Sequence, residues 1–502
     1  MSYYDKEMPI SNYKLSPLSD SEFNALKEDE KLLVADKLLG TLFFSYPLPV
    51  LKEKIASGRF VSSVQNELKQ NSTDISWLES EILDENKFYR GSDNEESLDI
   101  LARFFVAKDL DRYFFNNWVA YMLTQTIMFS PAYELDSSHV PNIARIYNRL
   151  VTLLEDDTSM RFITYIHMCS EDNWRRFRSP EDNGREMLEI FAFDGNDSDV
   201  PIAATALQNW KLDRDNDTLV VGLNENTKPL SLFGTTIYNG DDFYRELVKS
   251  KQFSYGAVKR LVQFFFTDDT PKEVESITNT ILSSNPQTWQ GILKQILFSK
   301  EYLLHTTRAK SAEEAFYSLA KKMDFKARKY AMYYLRNALD AMHQASMKYK
   351  LGRLKRVPLD TLSFANYSKY LREEVLLRHS NSEYEDDYSE WSRQGWSDSF
   401  TSMENFEVVN ENPIETLHNY INYLFQATVA REVSSQELAM FDSLMLEEKD
   451  GVKSPVYLYN ILDDRVDDNG QRYGDRFKIY DTMIVLDYIN RLEDVYLYKK
   501  VK

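Results

Sequence analysis

Ser179-Pro180-Glu181-Asp182-Asn183-Gly184-Arg185-Glu186-Met187-Leu188-Glu189-Ile190 is the stretch that decides how the rest of this chain is read. Ser179 offers a hydroxyl to cap a helix. Pro180 takes the first helical position, where its missing N–H would have had no partner. Glu181 and Asp182 fall in the first turn, where the helix dipole favours negative charge, and Asp182 is a weaker stand-in for the Glu of a capping box. Glu181–Arg185 and Arg185–Glu189 are favourable pairs four apart, while Asp182 and Glu186 are like-charged at that spacing. Met187, Leu188 and Ile190 supply an apolar side. The stretch predicts an amphipathic helix with other helices packed around it.

Outward from it, the same 3.6-residue rhythm recurs in both directions. Upstream, apolar spacing predicts helices over Met160–Cys169, Ile143–Leu154 and Leu110–Phe129, the last ended by Pro131, with shorter ones between 19 and 106. Downstream, Asp199 and Pro201 open a helix reaching Trp210. Leu219-Val220-Val221-Gly222-Leu223 then reads as a strand, with 230–236 as its hairpin partner around Asn224–Thr227. Helices resume at Asp241–Ser250, Ser254–Phe266, Pro271–Ser283, Gln287–Phe298, Ala312–Met323 and Phe325–Tyr349, and close the chain at Ile414–Arg431, Gln436–Leu446 and Arg476–Tyr498. The expected fold is mainly α: a large multi-helix body with one small β-hairpin. Four regions follow: 1–108 and 413–502 as helical ends, 109–350 as the central domain, and 351–412 as a connection carrying an acidic, aromatic loop.

Composition agrees with this rhythm. Only 15 glycines and 14 prolines punctuate 502 residues, which favours long helices over a turn-rich barrel. Hydrophobic residues at 43% supply a core. A net charge of −19 argues against a general nucleic-acid or anionic-membrane binder. A basic cluster from Lys326 to Arg356 reads as a solvated helix end and loop. The single cysteine, Cys169, excludes an internal disulfide and a cysteine-based zinc cluster. No signal peptide or membrane-length apolar run is visible, so the expectation is a cytoplasmic protein, or an exported one if a leader was removed before residue 1.

Several pieces also fall in a familiar order. Pro180 to Ile190 resembles the N-E-N-x-x-R-E-x-x-E-L signature of the bacterial domain of unknown function 1800 family. Ala204-Thr205-Ala206-Leu207-Gln208-Asn209-Trp210 resembles its A-R-A-L-T-G-W, and Lys228 and Gly234 match the lysine of H-D-x-G-x-K and the glycine after it. Gly240-Asp241-Asp242-Phe243, Val258 to Phe265, Ser299-Lys300-Glu301-Tyr302 and Arg308-Ala309-Lys310-Ser311-Ala312-Glu313-Glu314 continue the likeness, which covers roughly residues 110–320. The resemblance implies a mostly helical, commonly exported protein with a sulfatase-like partner, and no established activity. The departures are chemical. Leu223 and Asn224 stand where the family has His-Asp, Asn226 where it has glycine, and Pro180 and Asp182 where it has asparagines. Leucine transfers no proton and ligates no metal, so chemistry needing His-Asp is lost.

Two readings fit the charged signature. Glu181, Asp182, Glu186 and Glu189 with Arg185 suit a carboxylate site for acid–base work or a divalent cation, or a buried Arg–Glu network tying helices together. Trp210 and Lys228 join them as motif candidates. Asp213, Asp215 and Asp217 have the alternate spacing of a calcium loop, although Thr218 replaces its glycine and Asn224 its closing glutamate. Otherwise no cofactor is expected. Trp391 and Trp396, within the acidic loop, are candidate partner-docking anchors. The six histidines are scattered, and G-x-S-x-G, P-loop and G-x-G-x-x-G motifs are missing. The leading expectation is a non-enzymatic structural or assembly protein acting through a protein partner or self-association. The alternative is a hydrolase, metal-assisted or not, built on Glu181 and Glu186.

Overall fold

Serine, threonine and asparagine start helix after helix, because their side chains accept from backbone N–H groups that a first turn leaves without partners. Ser159 accepts from Phe162 N, Ser179 from Asp182 N, Asn239 from Asp242 N and Thr288 from Gly291 N. Thr270, Ser311 and Ser434 complete reciprocal capping boxes with Glu273, Glu314 and Glu437. These come from a computed structural model, which describes residues 15–74, 83, 94–128, 142–193, 197–213, 215–216, 218–267, 270–323, 412–455 and 484–501, and single positions at 337, 339, 341, 344, 365, 366 and 409.

The architecture is mainly α, with short two-stranded antiparallel sheets set among the helices. The first helices are α1 (Asp20–Asn24), α2 (Glu28–Thr41), α3 (Leu48–Ala56), α4 (Phe60–Glu67) and α5 (Asn94–Ala107). The centre follows with α6 (Arg112–Thr126), α7 (Ile143–Glu155), α8 (Met160–Met168), α9 (Glu171–Arg176), α10 (Pro180–Phe191) and α11 (Val200–Ala206). Strands β1 (Trp210–Asp213), β2 (Thr218–Val221), β3 (Leu230–Leu232) and β4 (Thr235–Ile237) form two successive hairpins. Next come α12 (Gly240–Lys249), α13 (Lys251–Phe265), α14 (Pro271–Ser283), α15 (Trp289–Leu297), a π turn (Glu301–His305), β5 (Arg308–Ala309) and α16 (Ala312–Lys322). The last elements are α17 (Pro413–Val429), α18 (Ser435–Met445), the hairpin β6 (Leu446–Lys449) and β7 (Val452–Pro455), and β8 (Leu497–Tyr498).

One contiguous apolar core runs from Leu18 to Tyr496. Phe43, just past α2, meets Phe105, Tyr121 and Tyr317 with ring centroids 5.2–5.3 Å apart, so N-terminal and central helices share it. Residues 16–18 and 497–501 both close on residues 298–310. Leu18 N donates to Phe298 O at 2.8 Å, Lys300 N to Ser16 O at 2.7 Å and Val501 N to Leu304 O at 2.8 Å, and β8 pairs with β5.

The strands depart from expectation. Trp210 does not end a helix: α11 stops at Ala206, Trp210 N closes the turn on Leu207 O, and Trp210 begins β1. Nor does β2 pair with 230–236; it pairs backwards with β1, Trp210 opposite Val221. Asn209 explains the choice, since its carbonyl accepts from Gly222 N at 2.7 Å while its side-chain amide donates to Gly222 O at 2.9 Å. The second hairpin turns at Phe233 and Gly234, φ +52° and +75°, the positive pair that a type I′ turn needs. The helix expected over Phe325–Tyr349, the basic cluster, most of 380–412 with Trp391 and Trp396, and the start of Arg476–Tyr498 lie outside the described residues. Among the described residues no helix is long and apolar enough to cross a membrane.

Candidate functional site

The α10 helix divides its sequence between two environments. Asn183, Gly184, Met187, Leu188 and Phe191 are buried, while Glu181, Asp182 and Arg185 face solvent and Glu186 and Glu189 are half-buried. Arg185 pairs with Glu181 at 3.3 Å and Asp197 at 3.8 Å, and its side chain is 47% exposed. The buried network expected around Arg185 is therefore not what this residue forms. Its pairs are surface ones, of the kind worth a few tenths of a kcal/mol.

The buried side is an aromatic and amide joint. Asn183 Oδ1 accepts from the Tyr244 hydroxyl at 2.6 Å, and that oxygen accepts from Trp174 Nε1 at 3.0 Å. Burial pushes the Tyr244 phenol well above its usual pKa, so it stays a donor. Trp210 stacks on Trp174 at 6.1 Å and meets Tyr244 edge-on at 5.4 Å. Two glycines let these elements close: a methyl at Gly240 would lie 2.5 Å from Trp210 Nε1, and one at Gly184 would lie 2.7 Å from Ala203 Cβ. The joint binds α9, α10, α11, β1 and α12.

The remaining candidates lie outside that joint. Lys228 is exposed; its backbone is held by Asn226, whose Nδ2 donates to Lys228 O and Tyr238 O, both at 2.7 Å. Leu223 is 104% exposed. The Asp213 carboxylate caps the β1–β2 turn, accepting from Asp215 N at 3.0 Å, Asn216 N at 3.3 Å and Asn216 Nδ2 at 2.9 Å, and the Asn216 bonds hold its pKa down. In the stretch read as a calcium loop, Asp213 thus caps the turn between β1 and β2 (Arg214 and Asp217 lie outside the described residues). Among the described residues no three His, Cys, Asp or Glu side chains converge as a metal site.

A second constellation was missed by residue-level reading. Asp36, 3% exposed on α2, accepts from Lys310 Nζ at 3.0 Å, Ser318 Oγ at 3.1 Å and Lys322 Nζ. Burial raises its carboxyl, but the two lysines outweigh that and hold it well below the carboxylate range. Beside it, Arg308 donates to Glu314 Oε1 at 2.7 Å and Thr41 Oγ1 at 3.1 Å, and its guanidinium lies 5.1 Å from the Tyr498 ring centroid. The available signal was an Arg-x-Lys spacing directly before a capping box, Ser311 to Glu314.

An open cleft of about 640 Å³ lies elsewhere, between α3, α4 and Asp109–Leu110. Its Glu67 is already engaged by Lys54 Nζ at 2.6 Å, Ser63 Oγ at 3.2 Å and the Tyr46 hydroxyl. Cys169 is free, and burial raises its thiol, so it is no activated thiolate.

No protein-family model, curated protein or solved structure matches this chain.

Proposed function

We propose that this chain is a non-enzymatic assembly protein that works through protein–protein contacts, with the hairpin module 210–238 as its contact surface. One observation carries the reading. Leu223 is 104% exposed, with Val221 at 55% and Tyr238 at 44% in the same module. The loop bearing Leu223 is fastened by Gln208 Nε2 to Asn224 O at 2.8 Å and by Asn226 to Tyr238 O, so its apolar side chain is held in water by a built structure. Apolar groups displayed in this way lower free energy when a partner covers them. The surface position of Glu181 and Arg185 lends no support to the hydrolase reading.

We also propose that the chain is a diverged member of the domain of unknown function 1800 family. What supports it is that Trp210, Gly240, Arg308 and Glu314, which fall on residues of the family-like motifs, do structural work at two joints. That reading makes a sulfatase-like protein the first partner to test.

The assembly reading is tested by sizing the native chain in an extract of its own cells. Elution well above the 58.9 kDa monomer, collapsing to monomer mass for Leu223→Asp, is expected. Monomer elution of both forms would sink it.

A further inference from the structure

Among the described residues, the outer edge of β2 pairs with no other strand and forms a hydrogen-bonding template. In an antiparallel pair, alternate residues turn their N–H and C=O toward the partner strand and the others turn them away. Gly222 N donates to Asn209 O, so the pairs Asn209–Gly222, Lys211–Val220 and Asp213–Thr218 are the bonded ones. Leu219 and Val221 therefore direct their N–H and C=O outward, and among the described residues no backbone or side-chain group bonds to them. Strands left open in this way are commonly shielded by charges, proline or a bulge. Thr218-Leu219-Val220-Val221-Gly222-Leu223-Asn224 contains no charged residue and no proline, and its register with β1 is regular. Side chains 219 and 221 share one face by the two-residue period. Leu219 packs on the core, whereas Val221 is exposed, and Leu223, in the bend just past the strand, stands fully in water.

We infer that β2 receives an extended segment of another protein as an added strand, an uncharged alternating core flanked by basic residues. This rests on the assembly reading and specifies its partner. The charge follows from the ends of the edge. Asp213 and Asp215 stand at one end and Glu225 at the other, on a chain of net charge −19. Lysine or arginine at the incoming strand's ends meets those carboxylates. A second copy of this chain, aligned antiparallel on the edge, brings the aspartate turn of one against Glu225 of the other, so like charges oppose self-pairing. The backbone bonds supply affinity, and the exposed Val221 and Leu223 select an apolar side chain opposite them.

The probe is a synthetic peptide of alternating valine and threonine with paired lysines at both ends, titrated onto the full chain while backbone hydrogen exchange is followed. Slowed exchange at the Leu219 and Val221 amides is expected. Val221→Pro removes one outward donor without touching a β1–β2 bond, and is expected to weaken Kd by about tenfold, the worth of one buried amide bond. Leu223→Ser, at a side chain that touches no core, checks this independently of folding and should also weaken binding. Glutamates in place of the lysines should abolish it. Protection elsewhere, indifference to both variants and to end charge, or pairing of two copies through this edge would overturn the proposal. A silent peptide together with an extract assembly that Leu223→Asp dissolves would end the strand-addition idea and leave the assembly reading standing; loss of both would end both.

Discussion

Arg176-Phe177-Arg178-Ser179-Pro180-Glu181-Asp182 and Arg308-Ala309-Lys310-Ser311-Ala312-Glu313-Glu314 are nearly the same helix start, written twice. Each has a basic residue three before a capping serine, another one before it, and two acids in the first turn. Their environments differ from the residue before the serine onward. In the first, Arg176 is buried like its counterpart Arg308, but Arg178, Glu181 and Asp182 are exposed, and the elements are joined on the other side of the helix by Asn183, Trp174, Tyr244 and Trp210. In the second, Arg308, Lys310, Glu313 and Glu314 are all buried, because α2, Tyr121 and β8 close over them. The cap sets where each helix begins. What lands on top decides whether its charges become surface decoration or internal fasteners, and that information lies far away in the chain.

The sharpest way to break the comparison is to remove one buried fastener. Arg308→Ala leaves Glu314, 3% exposed at its side chain, without its cation. A loss of about 3–5 kcal/mol is expected, measured as the shift in urea midpoint. Arg308→Met with Glu314→Gln removes both charges and should recover most of that loss; equal damage from the single and double changes would show that packing, and not the ion pair, holds this joint. In the other region the matching test is steric. Gly240→Ala drives a methyl into Trp210 and is expected to cost up to about 3 kcal/mol. Shaving the indole with Trp210→Phe in the same chain should restore part of it.

Acid separates the two regions as well. Burial, with Arg149 and Arg176 nearby, holds His167 down to about 3 from an ordinary 6.5. The unfolded chain therefore binds a proton below pH 6.5 that the folded chain refuses, so this stability is complete above 6.5 and drains away as pH falls toward 3. Between pH 7 and pH 5 the loss is about 2 kcal/mol, and His167→Gln should flatten that slope in urea titrations at the two pH values. Asp36 is depressed from a carboxylate value, so its contribution stays intact over that window and is lost only at lower pH. A slope unchanged by His167→Gln would place the acid-sensitive group elsewhere.

How much of this was legible in the sequence follows the range of each interaction. Caps and apolar periodicity are local, so Pro271–Ser283 is recovered to the residue and α10 to within one. The hairpin was assigned to the wrong partner because Trp210 and Leu212 sit in a stretch that continues a helical pattern. Only the pairing of Asn209 with Gly222 shows where the chain turns back. Asp213-Arg214-Asp215-Asn216-Asp217 looks like a calcium loop because turn capping and calcium coordination draw on the same carboxylates. The buried ion network was hidden for a different reason: Asp36, Arg308 and Tyr498 lie hundreds of residues apart, and nothing local marks Asp36 as interior.

The smallest expected effect concerns the charges that first drew attention. Arg185→Ala breaks an ion pair whose partners are 47% and 68% exposed at the side chain, so stability should move by no more than about 0.5 kcal/mol in urea denaturation. Glu181→Gln should be as quiet. These near-zero values matter as much as the large ones, because they say what the conserved-looking letters of a helix start are worth once nothing packs over them. A loss above 2 kcal/mol at either position would mean that this surface is covered in the folded molecule. The two helix starts would then be alike in kind, and the contact surface on the hairpin module would have to be redrawn to include α10.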